Sequence, residues 1–136
     1  MKGTAVLADA NVILDVFTND PAWGDWSVSV LEEYSSFATL CINSIIYSEI
    51  SIGFSRIEDL EAAIDKAGFH MLDFPREALF LAGKAFLACK KRKGAGNSPL
   101  PDFFIGAHAA VLNVALITRD GSRYRSYFPT LKLITP

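Results

Sequence analysis

Histidine and cysteine are scarce in this 136-residue chain, two of each, and that scarcity excludes whole classes of chemistry. Cys41 and Cys89 stand 48 positions apart in apolar surroundings, with no CxxC pair and no histidine at metal spacing. A zinc site is therefore excluded, and buried, reduced thiols are expected. An excess of positive charge is also missing, since 13 Lys and Arg against 15 Asp and Glu leave a net charge of −2. No overall field gathers a polyanion, so any nucleic-acid contact has to be local. No apolar run reaches the roughly 18–20 residues of a membrane span, because Asp9, Asp15, Asn43 and Glu49 interrupt the candidates. The stretch from Met1 to Phe17 is broken by Asp9 and has no small-residue cleavage site, unlike a signal peptide. A cytoplasmic protein without membrane contact is the expectation. Phosphate-binding and nucleophile motifs are lacking too. Gly94-Ala95-Gly96-Asn97-Ser98-Pro99 follows a helical pattern rather than a strand and lacks a third Gly, and neither a P-loop nor a Gly-x-Ser-x-Gly elbow occurs.

What is present is apolar and regularly patterned. With 51% hydrophobic and 12% aromatic residues, residues 1–136 read as one domain with a single sizeable core. Thr4–Ala8 is a short apolar run closed by Asp9, the pattern of a strand buried on both faces of a parallel sheet. Asn11 is placed to cap a helix through Phe17, and Asp20-Pro21 opens a second helix over Trp23 to Phe37. Thr39–Asn43 is again strand-like. Ser44 is placed to cap a helix through Phe54, and Ile57 to Ala67 forms another that Gly68 ends. Phe69–Phe74 reads as a third strand, and Pro75 opens a long helix ending in Lys90-Lys91-Arg92-Lys93. Gly94–Pro99 reads as a loop, and Pro101 starts a helix carrying Ile105, Ala109 and Leu112 on one side. Val114–Thr118 and Leu131–Ile134 supply a fourth and a fifth strand. Strands alternating with helices make this an α/β sandwich with a mainly parallel, roughly five-stranded sheet.

In such sheets ligands bind beyond the carboxyl ends of the strands. Asp9 closes the first strand, Asp120 follows the fourth after Thr118-Arg119, Asp102 opens the helix before it, and Glu49 lies about one and a half turns into the helix after the second. Four carboxylates on one rim repel one another unless a cation stands among them, and an all-oxygen set selects Mg²⁺ or Mn²⁺. Such a site could activate water at a phosphodiester. Each acid also has a structural alternative, Asp102 and Asp120 as helix-start or turn residues and Glu49 as a solvated helix residue. Asp9 is the hardest to explain that way, because a carboxylate ending a buried strand is costly without a partner.

Asp9-Ala10-Asn11-Val12-Ile13-Leu14-Asp15, Ser48-Glu49, Pro101-Asp102-Phe103-Phe104-Ile105-Gly106-Ala107-His108-Ala109 and Thr118-Arg119-Asp120 together resemble the four signature segments of PIN-domain ribonucleases, in order and over essentially the whole chain. The resemblance is strongest to the VapC-like toxins of type II toxin–antitoxin pairs. It implies a three-layer α/β/α fold and a Mg²⁺- or Mn²⁺-dependent endoribonuclease. By that likeness Asp9 and Asp102 are direct metal ligands, Glu49 and Asp120 complete or support the site, and Asn11 and Thr118 hydrogen-bond the acids or a metal-bound water. Ala10 departs from the Ser or Thr often found there, which leaves a hydroxyl to be supplied by Thr118 or to be missing. The resemblance also implies an RNA substrate, a homodimer, and a cognate antitoxin whose C-terminal segment lies between the early helices and presents a basic residue to the acids.

Other features allow two readings. Lys90, Lys91, Arg92 and Lys93 either complement a helix dipole or contact RNA backbone, and Arg119 either contacts RNA or balances the acids. His108, six residues beyond Asp102, points roughly 120° away from it on a helix and reads as packed, as does His70. Trp23, Trp26, Tyr34 and Phe37 read as packing, part of it an interface. Acids at strand ends also fit a phosphotransfer or receiver-like domain, with Asp73 and Thr118 in its pocket, but paired acids after the first strand and Lys after the last are lacking. A catalytically silent PIN module binding RNA or a partner would be expected to have lost an acid.

Overall fold

The computed structural model describes residues 4–93 and 100–136, the side chain of Lys93 excepted. Its sheet has five parallel strands, β1 (Ala5–Ala8), β2 (Thr39–Ile42), β3 (His70–Met71), β4 (Ala115–Ile117) and β5 (Leu133–Ile134), in the order β3-β2-β1-β4-β5. The central strands have the continuous apolar character expected where both faces are covered. Val6, Leu7, Ala8, Leu40, Cys41, Ile42, Leu116 and Ile117 are all buried.

Helices α1 (Ala10–Phe17) and α2 (Gly24–Ser35) connect β1 to β2, and α3 (Ser44–Ile50) and α4 (Ile57–Ala67) connect β2 to β3. The chain then returns past β1 through α5 (Arg76–Lys93) and α6 (Leu100–Leu112) to β4, and α7 (Gly121–Tyr127) leads to β5. With right-handed crossovers, that reversal of direction puts α1 to α4 on one face of the sheet and α5 to α7 on the other. The packing agrees, with α1 on α2 and α3, and α6 on α5 and α7. The main core surrounds the sheet, and a smaller one, built from Ala82, Cys89, Phe103, Ala107 and Phe128, joins α5 to α6 and the chain after α7. Both cysteines are free and buried, as their apolar settings imply.

Several local expectations need correction. The cap of α1 is Asp9, not Asn11: the strand ends at Ala8 and the helix begins at Ala10, so only Asp9 lies between, and its Oδ1 accepts from Ala10 N at 2.8 Å. Likewise Asn43 rather than Ser44 caps α3, its Oδ1 accepting from Ile46 N at 2.9 Å. That helix stops at Ile50 and tightens into a 3₁₀ turn over Ser51–Gly53 instead of running to Phe54. The sequence pattern showed no helix after β4, yet α7 forms there. The edge strands are also shorter than their apolar runs, because Phe69–Phe74 pairs with β2 only at His70 and Met71. Gly68 does end α4, in the left-handed region at φ 78° that glycine enters without cost. The Gly94–Pro99 loop reading lies outside the described residues.

Candidate active site

The sheet order reverses between β1 and β4, and the crevice beyond their carboxyl ends is where an open α/β sheet receives a ligand. Asp9 N donates to Ile117 O at 2.8 Å, which fixes the end of β1 beside that of β4. The Asp9 carboxylate is buried and closely held: besides Ala10 N on Oδ1, its Oδ2 accepts from Thr118 Oγ1 at 2.8 Å and from Tyr124 OH at 3.1 Å. Hydroxyls from the residue after β4 and from α7 thus serve the carboxylate, while position 10 carries only a methyl group.

Thr118 has spent its proton on Asp9, and its oxygen accepts from Asp120 N at 3.0 Å, turning Asp120 back toward the site. Asn11 Nδ2 donates to Asp120 Oδ2 at 3.1 Å, and its Oδ1 accepts from Arg119 N at 3.4 Å. These bonds tie the first turn of α1 to the β4–α7 connection.

Asp102 comes from the opposite face of the sheet, in the first turn of α6, and is buried. Its Oδ1 lies 3.4 Å from Tyr124 OH, which has one proton to share between Asp102 and the nearer Asp9. Its Oδ2 lies 2.6 Å from Arg123 Nε as an ion pair, but without the direction of a hydrogen bond, so this buried oxygen receives no hydrogen-bond donor. Arg123 Nη2 also reaches Asp120 Oδ2 at 3.1 Å. Gly106, one turn along α6, lets Tyr124 and Phe128 pack this closely, since a Cβ there would stand 2.5 Å from the Phe128 ring.

Glu49 is half-buried on α3. Burial first, then the charges of Asp9 and Asp102, push its carboxyl up to about 7, with Arg123 opposing. Asp102 is pushed up to about 6, by burial foremost, Arg123 again opposing, and Asp9 and Asp120 adding to the rise. Asp9 is raised by burial, against the pull of its hydrogen-bond donors. Burial likewise drives the Tyr124 hydroxyl far above its ordinary range, so it stays a donor. The four acids therefore share one electrostatic pocket. Among the described residues no three of them are gathered at coordinating distance of one point, and the Arg123 guanidinium stands against two. The donor chemistry nonetheless fits a hard divalent cation: every ligand is oxygen, three carboxyls are raised by burial and mutual repulsion, and Asp102 Oδ2 lacks a donor.

Two neighbouring networks support the pocket. His108 is buried between Asn43, whose Nδ2 lies 3.0 Å from Nδ1, and Asp73 O, 3.1 Å from Nε2, and it stacks on Phe74. Asn43 Oδ1 is engaged by Ile46 N, so Nδ2 donates to an unprotonated Nδ1, and burial lowers the imidazole pKa to match. This bond joins the start of α3, which carries Glu49, to α6, which carries Asp102. Arg119 turns away from the acids: Nε and Nη2 grip buried Asp15 at 2.8 and 3.1 Å, Ser27 Oγ adds a donor at 2.8 Å, and the guanidinium lies 5.3 Å from the Trp23 ring. The charge is thus spent on locking α1 to α2. Lys90, Lys91 and Arg92 are exposed at the end of α5, and His70, expected to be packed, is instead exposed on edge strand β3. Arg123 and Tyr124 carry no hydrophobic pattern that marks them, because α7, Gly-Ser-Arg-Tyr-Arg-Ser-Tyr, has no apolar period. Their one signal is the placing of Arg123 three residues after Asp120, the spacing of a helical ion pair.

A family model for the PIN domain matches residues 6–127. Comparison with curated protein sequences finds no match. Among solved structures, VapBC2 from Rickettsia felis, bound to a DNA fragment from its promoter, superposes with a TM-score of 0.75 at 21% identity over 98% of this chain and 99% of that one. VapBC-1 from nontypeable Haemophilus influenzae gives 0.72 at 21% over 97% and 98%, and a toxin–antitoxin complex from Klebsiella pneumoniae gives 0.69 at 19% over 96% and 97%. These likenesses establish the shared fold, and the family match displaces the receiver-like alternative. The chain belongs to the PIN-domain family of nucleases.

Proposed function

We propose that this protein is a Mg²⁺- or Mn²⁺-dependent endoribonuclease and the toxin of a VapC-type toxin–antitoxin pair. The carrying observation is the convergence of Asp9, Glu49, Asp102 and Asp120 on the β1/β4 crevice, where burial first and neighbouring carboxylates second push Asp9, Glu49 and Asp102 toward their protonated forms. Asp9 and Asp102 would be the direct ligands, with Glu49 and Asp120 completing the set. A bound divalent ion would supply charge neutralisation at the phosphodiester and an acidified water as nucleophile. The chain's own groups do the rest. Thr118 and Tyr124 orient Asp9, Asn11 fixes Asp120, and Glu49, poised near neutrality, is suited to hold or accept a proton at its carboxylate.

A net charge of −2 leaves RNA attraction to local groups. Helix α5 packs along α6, and its final turn, Lys90 to Lys93, precedes Asp102 closely in the sequence. These four cations would meet the RNA backbone beside the acids. Replacing all four with Gln is expected to weaken RNA binding and to flatten the dependence of log K on log salt by about 0.7 for each phosphate they neutralise. An unchanged slope returns them to dipole complements.

The antitoxin segment would lie in the apolar groove that Ile13, Val16 and Phe17 of α1, Val28 and Leu31 of α2, and Phe69 line. Exposed Leu79, Phe80 and Leu87 on α5 offer an apolar face to a second copy, the expected homodimer. The setting proposed is the cytoplasm, which holds the RNA and keeps Cys41 and Cys89 reduced. No helix among the described residues is long and apolar enough to cross a membrane. The test of the activity is cleavage of RNA by the purified chain with and without a chelator.

A further inference from the structure

Arg123 is the one cation among the described residues in ion-pair contact with the four acids, and its placement is specific. Nε stands 2.6 Å from Asp102 Oδ2 and Nη2 3.1 Å from Asp120 Oδ2, so one guanidinium bridges a carboxylate from α6 and one from the β4–α7 connection. A guanidinium keeps its charge at any pH at which the protein is folded, so this is a permanent positive centre inside the acid cluster. Two details make it a replaceable one. The approach to Asp102 Oδ2 lacks hydrogen-bond direction, so charge rather than a shaped donor holds it there. The Arg123 side chain is 41% exposed against 9% for Asp102, so the arginine can rotate into water while the carboxylate stays in place. A divalent ion on Asp102 and Asp120 would need the space and the charge balance that the guanidinium now takes, and two like charges there would repel at close range.

We propose that Arg123 is a built-in counter-cation that competes with the divalent metal for Asp102 and Asp120 and leaves them when the ion binds. The proposal rests on the metal-site reading given above. It accounts for the placing of Asp102 and Asp120, which one planar, forked cation spans. It also implies that replacing Arg123 opens Asp102 and Asp120 to a divalent ion.

The test is calorimetric titration of Mn²⁺ into the full chain, free of antitoxin, comparing wild type with Arg123→Gln and Arg123→Lys after circular dichroism has shown each to be folded. Arg123→Gln is expected to bind Mn²⁺ about tenfold more tightly, the order left to one displaced, part-exposed charge, with Arg123→Lys close to wild type. Equal or weaker binding by Arg123→Gln overturns the proposal. Should that variant fail to fold, a crystal structure of Mn²⁺-loaded wild type decides. A guanidinium withdrawn from Asp102 supports the exchange, and one still touching it overturns it. Absence of Mn²⁺ binding by every protein removes the metal site and this proposal together. Tighter binding by Arg123→Gln without RNA cleavage by wild type leaves Arg123 its role and removes the nuclease.

Discussion

Metal-free protein is expected to lose stability as the pH rises from about 6.5 to 8, and Mg²⁺ or Mn²⁺ is expected to restore it. Glu49, with an ordinary carboxyl near 4.5, is held at about 7 in the folded chain, and Asp102, ordinarily near 3.8, at about 6, each chiefly by burial. Asp9 shifts the same way. An acid raised by folding binds protons that the unfolded chain has released, so the unfolded state holds fewer and stability falls as pH climbs through the folded value. His108 works in the opposite sense, because its lowered pKa makes the unfolded chain bind more protons below about 6.5. The two effects overlap at acid pH, and Glu49 acts with least opposition above it. Asp102, at about 6, has given up most of its share below this window, so the loss between pH 6.5 and 8 comes chiefly from Glu49 and, after allowance for screening, is on the order of 0.5 kcal/mol, a degree or two in Tm. A divalent ion reverses the sign by stabilising the ionised forms, and it also adds its own binding energy to the folded state. The check is a series of thermal melts from pH 6.5 to 8 in chelator and in Mn²⁺, with Glu49→Gln alongside. A Tm that climbs with pH in chelator, or a slope that Glu49→Gln leaves untouched, contradicts this electrostatic account.

Asp9→Asn should leave a folded, even slightly stabilised, metal-free protein that has lost at least two orders of magnitude in cleavage rate, the scale of removing one preorganised electrostatic group. The amide oxygen can keep the bond from Ala10 N that caps α1, and the amide nitrogen can donate to the Thr118 and Tyr124 oxygens once their protons rotate away. The buried negative charge disappears, and with it the penalty that raises the Asp9 pKa. Mn²⁺ affinity falls with it, because a carboxylate ligand is gone. Circular dichroism, melting temperature and Mn²⁺ titration on one preparation separate these effects. A variant that unfolds would mean that the charge of Asp9 is structural, and one that cleaves at wild-type rate would place the chemistry elsewhere.

Much of this candidate site is legible in the sequence because two of its acids end or follow apolar runs. Asp9 closes an unbroken strand and Asp120 follows another, so the strand pattern alone sends both to the same rim. Asp102 is legible as the acid that follows a proline at a helix start, and Lys90 to Lys93 as the end of the long helix. What was not legible depends on groups distant in sequence. Tyr124 is buried only because Gly106, on another helix, leaves room for its ring beside Asp9. Arg119 looks like a free cation until α1 and α2 bring Asp15 and Ser27 to it. The caps lie one or two residues before the positions the sequence pattern points to because strand and helix abut, which leaves Asp9 and Asn43 the double task of ending a strand and opening a helix.

The most direct measurement is cleavage of total cellular RNA by purified, antitoxin-free protein with Mg²⁺ or Mn²⁺, beside chelator and Asp9→Asn controls. Discrete fragments that require both the metal and Asp9, with ends that can be mapped to a defined RNA, are the expected result. Fragments that persist in chelator, or that Asp9→Asn produces equally well, would contradict a metal-dependent nuclease centred on the β1/β4 crevice.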